Sequence, residues 1–317
     1  MYILLIIIGL ALILAGANYL TDGAAALAQR LKMPEFVIGL TIVAVGTSTP
    51  ELVVSAMSAI NGSSDIAIGN VVGSNLFNIF IILGICTLIT PLALSGSTIR
   101  RDIPIAVAAS MIMLAALSDS YLGISEINKI GRLEGVIMLI IYFALMAYTI
   151  RLARKEQSKE EQPKEKLMPL WLSLVMIVGG LGGLVYGGNL FVDNAILLAQ
   201  RLGVSESVIA ITLVAGGTSL PELASSIVSL VKGKADMALG NVVGSNIANI
   251  LLILGSCATI TPLTLGGITI VDILMVLLSS LLLFVSAFTF QRKAIDRYEG
   301  VIFLIIYVVY IWYLIQR

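Results

Sequence analysis

Histidine is absent from this 317-residue chain, and cysteine occurs only twice. The first absence removes His-based zinc sites, His general bases and an imidazole pH switch. Cys86 and Cys257 lie inside apolar segments and form no Cys-x-x-Cys pair, so both read as small buried hydrophobes. Charge is scarce too. Only 12% of the residues are charged and 58% are hydrophobic, whereas soluble domains carry roughly 25% charged residues. The chain therefore reads as an integral membrane protein. Its first segment has no basic n-region and no convincing A-x-A site, and is expected to be a transmembrane helix rather than a cleaved signal.

What is abundant is apolar sequence in runs of about 20 residues, the length of a membrane-crossing helix. The runs place spans at 2–20, 36–60, 66–91, 102–118, 133–153, 168–191, 206–231, 237–262, 270–289 and 298–316. The expected fold is an all-α integral membrane protein of about ten transmembrane helices. One stretch, Arg151 to Lys166, is rich in Lys, Glu and Gln and reads as a solvated linker. Of the 19 Lys and Arg residues, only Lys129, Arg132, Arg201 and Arg317 fall on the side opposite that linker. The positive-inside rule then makes the 151–166 linker cytoplasmic and puts both termini outside a cytoplasmic-type membrane.

The sequence also repeats. Shifted by 171 positions, Ala28–Leu92 aligns with Ala199–Leu263 without a gap, with about 38 identities in 65 positions. Five spans per half is an odd number, so the halves are expected to be inverted: a first repeat over 1–153, a linker over 154–167 and a second repeat over 168–317. Inverted repeats with a site at their interface are common among secondary transporters.

The polar residues within the apolar runs sit in the repeat. Gly46-Thr47-Ser48-Thr49-Pro50-Glu51 is matched by Gly217-Thr218-Ser219-Leu220-Pro221-Glu222. A carboxylate at the bilayer centre costs at least a few kcal/mol, so an intramembrane Glu marks a functional site by default. Thr47, Glu51 and Ser55 are spaced to share one helix face, as are Thr218, Glu222 and Ser226. Pro50 and Pro221 lack an N–H, and each should kink or open its helix near Gly46 or Gly217, freeing carbonyls. Such backbone survives at membrane depth only inside protein or beside a cavity. A second motif, Gly69-Asn70-Val71-Val72-Gly73-Ser74-Asn75-Leu76-Phe77-Asn78, recurs as Gly240-Asn241-Val242-Val243-Gly244-Ser245-Asn246-Ile247-Ala248-Asn249. Ser74 and Asn78 share a face, and Gly69 and Gly73 suit close helix contact. The donors available are all oxygens, which suit Ca²⁺ and Na⁺ and disfavour zinc or copper. Two carboxylates balance one divalent ion, and the same oxygens could hold several monovalent ions.

These paired motifs resemble the two alpha repeats of the cation/calcium antiporter superfamily, most closely prokaryotic sodium/calcium exchangers. The ten-span layout extends the resemblance over nearly the whole chain. It implies that Glu51 and Glu222 bind Ca²⁺, with the carbonyls of Thr47 and Thr218 completing the shell. Sodium would use the same glutamates with Ser48, Ser74, Ser219 and Ser245 and the carbonyls of Ala44 and Ala215. Asn78 and Asn249 would line the central site, and spans 1 and 6 would slide across the core. Asn18, Asn189, Asp22 and Asp193 occupy matched positions but are not assigned as ligands. Some relatives carry Asp where Asn249 stands, a position associated with potassium use, so potassium coupling is not expected.

The resulting expectation is an antiporter exchanging Na⁺ for Ca²⁺ by alternating access at a shared midplane site. It would need no cofactor and bind no nucleic acid; its partners would be the two ions and the bilayer. Proton/calcium or other divalent exchange stays open, because burial favours the neutral form of a carboxyl group that holds no cation. A channel fits less well with doubled carboxylates on broken helices. An intramembrane protease lacks a His base, and no Lys is placed deep in the membrane.

Overall fold

A computed structural model describes residues 2–119, 128–156, 167–201, 215–289 and 293–316. The chain is mainly helical. Among the described residues, six helices are long and apolar enough to cross a membrane: α1 (Tyr2–Leu31), α4 (Ser64–Ile89), α6 (Arg132–Glu156), α7 (Leu170–Arg201), α9 (Ala235–Ile260) and α11 (Arg297–Gln316). A seventh span is reached if α2 (Glu35–Thr47) and α3 (Thr49–Ile60) count as one, broken at Ser48. The shorter apolar helices are α5 (Ile103–Ala116), α8 (Leu220–Val231) and α10 (Ile270–Ser286). Of the span expected over 206–231, residues 206–214 lie outside the described residues, as does 157–166 of the expected linker.

Two ends differ from the sequence expectation. α1 runs to Leu31 rather than ending near 20, and α7 runs to Arg201 rather than 191. Hydropathy falls at Asp22 and Asp193, yet Ala, Leu and Gln keep helical propensity high beyond them. Asp22 also gains a cation, Lys232 Nζ at 2.7 Å.

The chain forms two compact units, each drawing on both halves of the sequence. The first contains residues 1–48 and 146–242. Its largest packing contact joins α1 to α7. Gly9, Gly16 and Gly23 recur every seven residues on α1 and meet Gly187, Gly180 and Ser173 on an antiparallel α7. A Cβ on Gly16 would lie 2.6 Å from Leu184 N and 2.7 Å from Gly180 O, so only glycine permits this approach. In a bilayer, where lipid tails are as apolar as Leu, close backbone packing of this kind drives helix association. α8 also packs on α1, with Thr21 Oγ1 at 3.1 Å from Ser229 Oγ. α2 crosses the start of α9 closely, since a Cβ on Gly39 or Gly240 would collide with the Met237 or Phe36 carbonyl.

The second unit contains residues 49–145 and 243–317. α3 lies against α4 and against the later part of α9. α11 packs on α4, with Phe80 and Phe303 edge to face at 5.9 Å. α10 packs on α5, where Ser110 and Ser280 hydroxyls meet at 2.9 Å. The repeats of Thr-Pro-Leu end two helices alike. The residue before proline is driven to extended backbone, and Thr90 and Thr261 adopt φ −149° and −142°. Two short strand pairs follow, which an all-helical reading did not anticipate. β1 (Leu92–Ala93) pairs antiparallel with β4 (Ala294–Ile295), and β2 (Lys129–Ile130) pairs antiparallel with β3 (Leu263–Thr264).

Within α4 and α9 the helix widens to π geometry at matched places, Phe77–Leu83 and Ala248–Leu254, and a third such segment, Gly39–Val43, lies in α2. π segments concentrate at functional sites, and two of these carry Asn78 and Asn249.

Candidate functional site

Each repeated Glu opens a helix just after a break. α2 ends at Thr47, Ser48 leaves helical geometry at φ −80°, ψ 9°, and α3 begins at Thr49. A helical turn, Ala215–Gly217, is followed by Ser219 at φ −88°, ψ 7° and by α8 from Leu220. The breaks fall two residues before Pro50 and Pro221. Glu51 and Glu222 thus stand in the first turn of their helices, where the dipole favours negative charge.

In the first unit, Glu222 is fully buried, with 0% of its surface exposed. The Ser48 hydroxyl donates to Glu222 Oε1 at 2.7 Å. The break of one repeat is therefore bonded to the carboxylate of the other. Asn241, also buried, ties the surroundings together. Its Nδ2 donates to Ser225 Oγ at 2.8 Å, to Ser226 Oγ at 3.0 Å and to the Glu222 carbonyl at 3.4 Å. Its Oδ1 accepts the Thr47 hydroxyl at 3.2 Å. The Ala44 carbonyl accepts the Ser48 N–H at 2.9 Å and the Thr47 hydroxyl at 3.3 Å. Ser219 is buried and Thr218 is half-buried. Ala215 lies in the helical turn before them.

In the second unit, Glu51 and Ser55 are fully buried. Asn70 repeats the work of Asn241: its Nδ2 donates to the Glu51 carbonyl at 3.2 Å and to Ser55 Oγ at 3.0 Å. Ser74, Asn78, Ser245 and Asn249 are buried on α4 and α9. Asn78 Nδ2 donates to Asn246 Oδ1 at 3.0 Å. Among the described residues, the hydroxyls of Ser74 and Ser245, the Asn78 and Asn75 amide oxygens and both polar atoms of Asn249 have no hydrogen-bond partner. A buried polar group without a partner costs about 1–3 kcal/mol, and such groups call for an explanation. Buried oxygens gathered in this way are what a hard cation needs, since it is bound by oxygen donors in place of its water.

The structure thus gathers Ala44, Thr47, Ser48, Ser219 and Glu222 in one unit, with Thr218 and Ala215 in the adjoining segment. It holds Glu51, Ser74, Asn78, Ser245 and Asn249 in the other. Sequence reasoning quoted Asn70 and Asn241 within the motif but gave them no role. The available signal was their place in the repeat, each 19 residues beyond its glutamate. Among the described residues no cluster of three or more His, Cys, Asp and Glu side chains is suited to a metal. Most donors here are neutral oxygens.

A family description, sodium/calcium exchanger protein, matches residues 1–151 and 172–316. The chain belongs to the sodium/calcium exchanger family. Among its relatives, a putative antiporter, CaxA, of Alkalimonas amylolytica is 34% identical, with 96% of each chain covered. The sodium/calcium exchanger MaX1 of Methanosarcina acetivorans is 31% identical over 97% of each. A solved structure of the sodium-calcium exchanger NCX_Mj, soaked with Na⁺ and Ca²⁺, superposes with a TM-score of 0.82 at 30% identity, covering 97% of this chain and 96% of that one. Members of this family are multi-pass membrane transporters rather than enzymes, and they work without a cofactor.

Proposed function

We propose that this exchanger-family protein moves Ca²⁺ out of the cytoplasm against inward movement of Na⁺, with both ions competing for one midplane site. Glu51 and Glu222 would supply the two negative charges that balance one Ca²⁺. The Thr47 and Thr218 carbonyls would complete the calcium shell. Sodium would draw on the same carboxylates with Ser48, Ser74, Ser219 and Ser245 and the Ala44 and Ala215 carbonyls, and Asn78 and Asn249 would line the cavity. The observation that carries this reading is the Ser48–Glu222 hydrogen bond at 2.7 Å between fully buried groups of different repeats. It is what a site built jointly by two repeats requires.

The architecture proposed around it is ten spans in two inverted halves, 1–153 and 168–317, with a cytoplasmic linker over 154–167 and both termini outside. The 171-residue repeat and the bias of basic residues support that arrangement. Alternating access would be carried by α1 and α7 moving as one body, an idea supported by their seam of glycines. The test is ion flux in reconstituted vesicles with sodium, potassium and proton gradients imposed separately. Calcium uptake should follow an outward sodium gradient with or without potassium. Drive by a pH gradient alone would replace sodium with protons in this account, and an absolute potassium requirement would also overturn the sodium-only reading.

A further inference from the structure

A second, unrelated feature lies in the unit that holds Glu51. A cavity of about 440 Å³ opens where α5 begins and α10 ends, lined by Ile99, Arg100, Pro104, Phe284, Phe288 and Lys293 among others. Two cations stand at its edge, and its walls are aromatic and aliphatic. Among the described residues neither cation is paired with a carboxylate. The ion pairs among the described residues include Arg101 with Asp102 at 2.7 Å, but not Arg100 or Lys293. Lys293 is also held in an unusual backbone state, φ 64°, a region that residues with a Cβ seldom occupy. Its N–H bonds the Ala287 carbonyl at 3.0 Å and its carbonyl accepts the Leu94 N–H at 2.7 Å. Backbone strain of this kind persists where the surroundings over-determine it, and it clusters at ligand clamps.

The cavity continues into an apolar track. Leu274, Leu278, Leu281, Val285 and Phe288 follow one another at alternating steps of four and three, and each is at least 40% exposed. On a helix that spacing is a single stripe. An exposed apolar stripe in a membrane protein faces lipid tails, and Phe288 at the end of this one lines the cavity together with Arg100 and Lys293.

We propose that this cavity binds one anionic phospholipid, its phosphate between Arg100 and Lys293 and an acyl chain along the α10 stripe. Basic pockets between membrane helices suit such headgroups, and a basic residue near an anionic lipid surface contributes on the order of a few-fold in affinity. The source is a lipid rather than a free anion, because the cations open onto apolar walls and a long apolar track.

The experiment is native mass spectrometry of the purified full-length protein in neutral detergent. It is titrated with phosphatidylglycerol, phosphatidylcholine or glycerol phosphate. One phosphatidylglycerol per chain should be retained in preference to phosphatidylcholine. Arg100→Gln with Lys293→Gln should weaken it about thirty-fold. Arg100→Lys with Lys293→Arg should retain binding, which separates loss of charge from loss of fold. Arg151→Gln with Arg154→Gln, which removes two exposed cations elsewhere, should leave it unchanged. Equal retention of phosphatidylcholine would overturn the proposal, as would unaltered phosphatidylglycerol binding by the double Gln variant. Displacement of the lipid by an equal concentration of glycerol phosphate would show a free-anion site instead.

Discussion

Asn241 is the residue whose replacement says most about how the glutamates are held. Asn241→Leu keeps the number of side-chain heavy atoms and removes every polar contact. The losses are the bonds to Ser225 and Ser226 at 2.8 and 3.0 Å and the bond from Thr47 at 3.2 Å. The contact to the Glu222 carbonyl, at 3.4 Å, is weak. Buried hydrogen bonds contribute about 0.5–1.5 kcal/mol each, which would put the three at about 2–4 kcal/mol. Thr47 has a second acceptor, the Ala44 carbonyl at 3.3 Å, and the Ser225 hydroxyl keeps its own bond to the Glu222 carbonyl at 3.2 Å, so the low end applies. If most of about 2 kcal/mol falls on the placement of Glu222, the Ca²⁺ concentration for half-maximal flux rises at least about tenfold. The assay is sodium-driven uptake of radiolabelled calcium into vesicles, measured across calcium concentrations. Ser225→Ala, which leaves Ser226 bonded to Asn241, should shift the same constant less than about threefold. Asn70→Leu should act like Asn241→Leu through Glu51. A normal half-saturation constant in well-folded Asn241→Leu would refute a positioning role.

Other outcomes follow from separate parts of the structure. Gly180→Ala should lower yield and thermal stability, because its Cβ would lie 2.5 Å from Leu20 N and 2.7 Å from Gly16 O, whereas Gly182→Ala, two residues on and with nothing within 4 Å, should be neutral; equal behaviour of the two would dissolve the α1–α7 seam. Single cysteines introduced at Ser63 and Lys234, in a background lacking Cys86 and Cys257, should react with an impermeant reagent from opposite sides, and labelling from one side would refute inverted repeats. If three Na⁺ exchange for one Ca²⁺, each cycle moves one net charge, worth about 2.3 kcal/mol per 100 mV, and an inside-negative potential should speed calcium exit. Flux that ignores a 100 mV change would instead indicate two-for-one, electroneutral exchange.

Much of this was legible in the sequence because the repeat places rare polar residues twice in apolar surroundings. The two glutamates, the breaks before them and the serine and asparagine donors all stand out against hydropathy. The breaks were legible for a plain reason: proline cannot continue a helix without loss of a hydrogen bond. The Ser48–Glu222 bond was not, since it joins residues 174 apart and depends on how the helices pack. The π segments escaped notice because Phe-Asn-Ile-Phe-Ile-Ile-Leu has no composition that distinguishes π from α geometry. The overruns of α1 and α7 were hidden by Asp22 and Asp193, which hydropathy counts as ends. The glycine seam was visible as a period of seven, Gly9 to Gly16 to Gly23, but its partner helix lies more than 150 residues away.

The most direct measurement is sodium-gradient-driven calcium flux by purified Glu51→Gln and Glu222→Gln variants in vesicles. Both side chains are fully buried, and Gln keeps their size while removing the charge that balances Ca²⁺. Each variant should insert and fold as the parent does and should transport no calcium above empty vesicles. Near-normal flux by either one would contradict a site shared by the two glutamates.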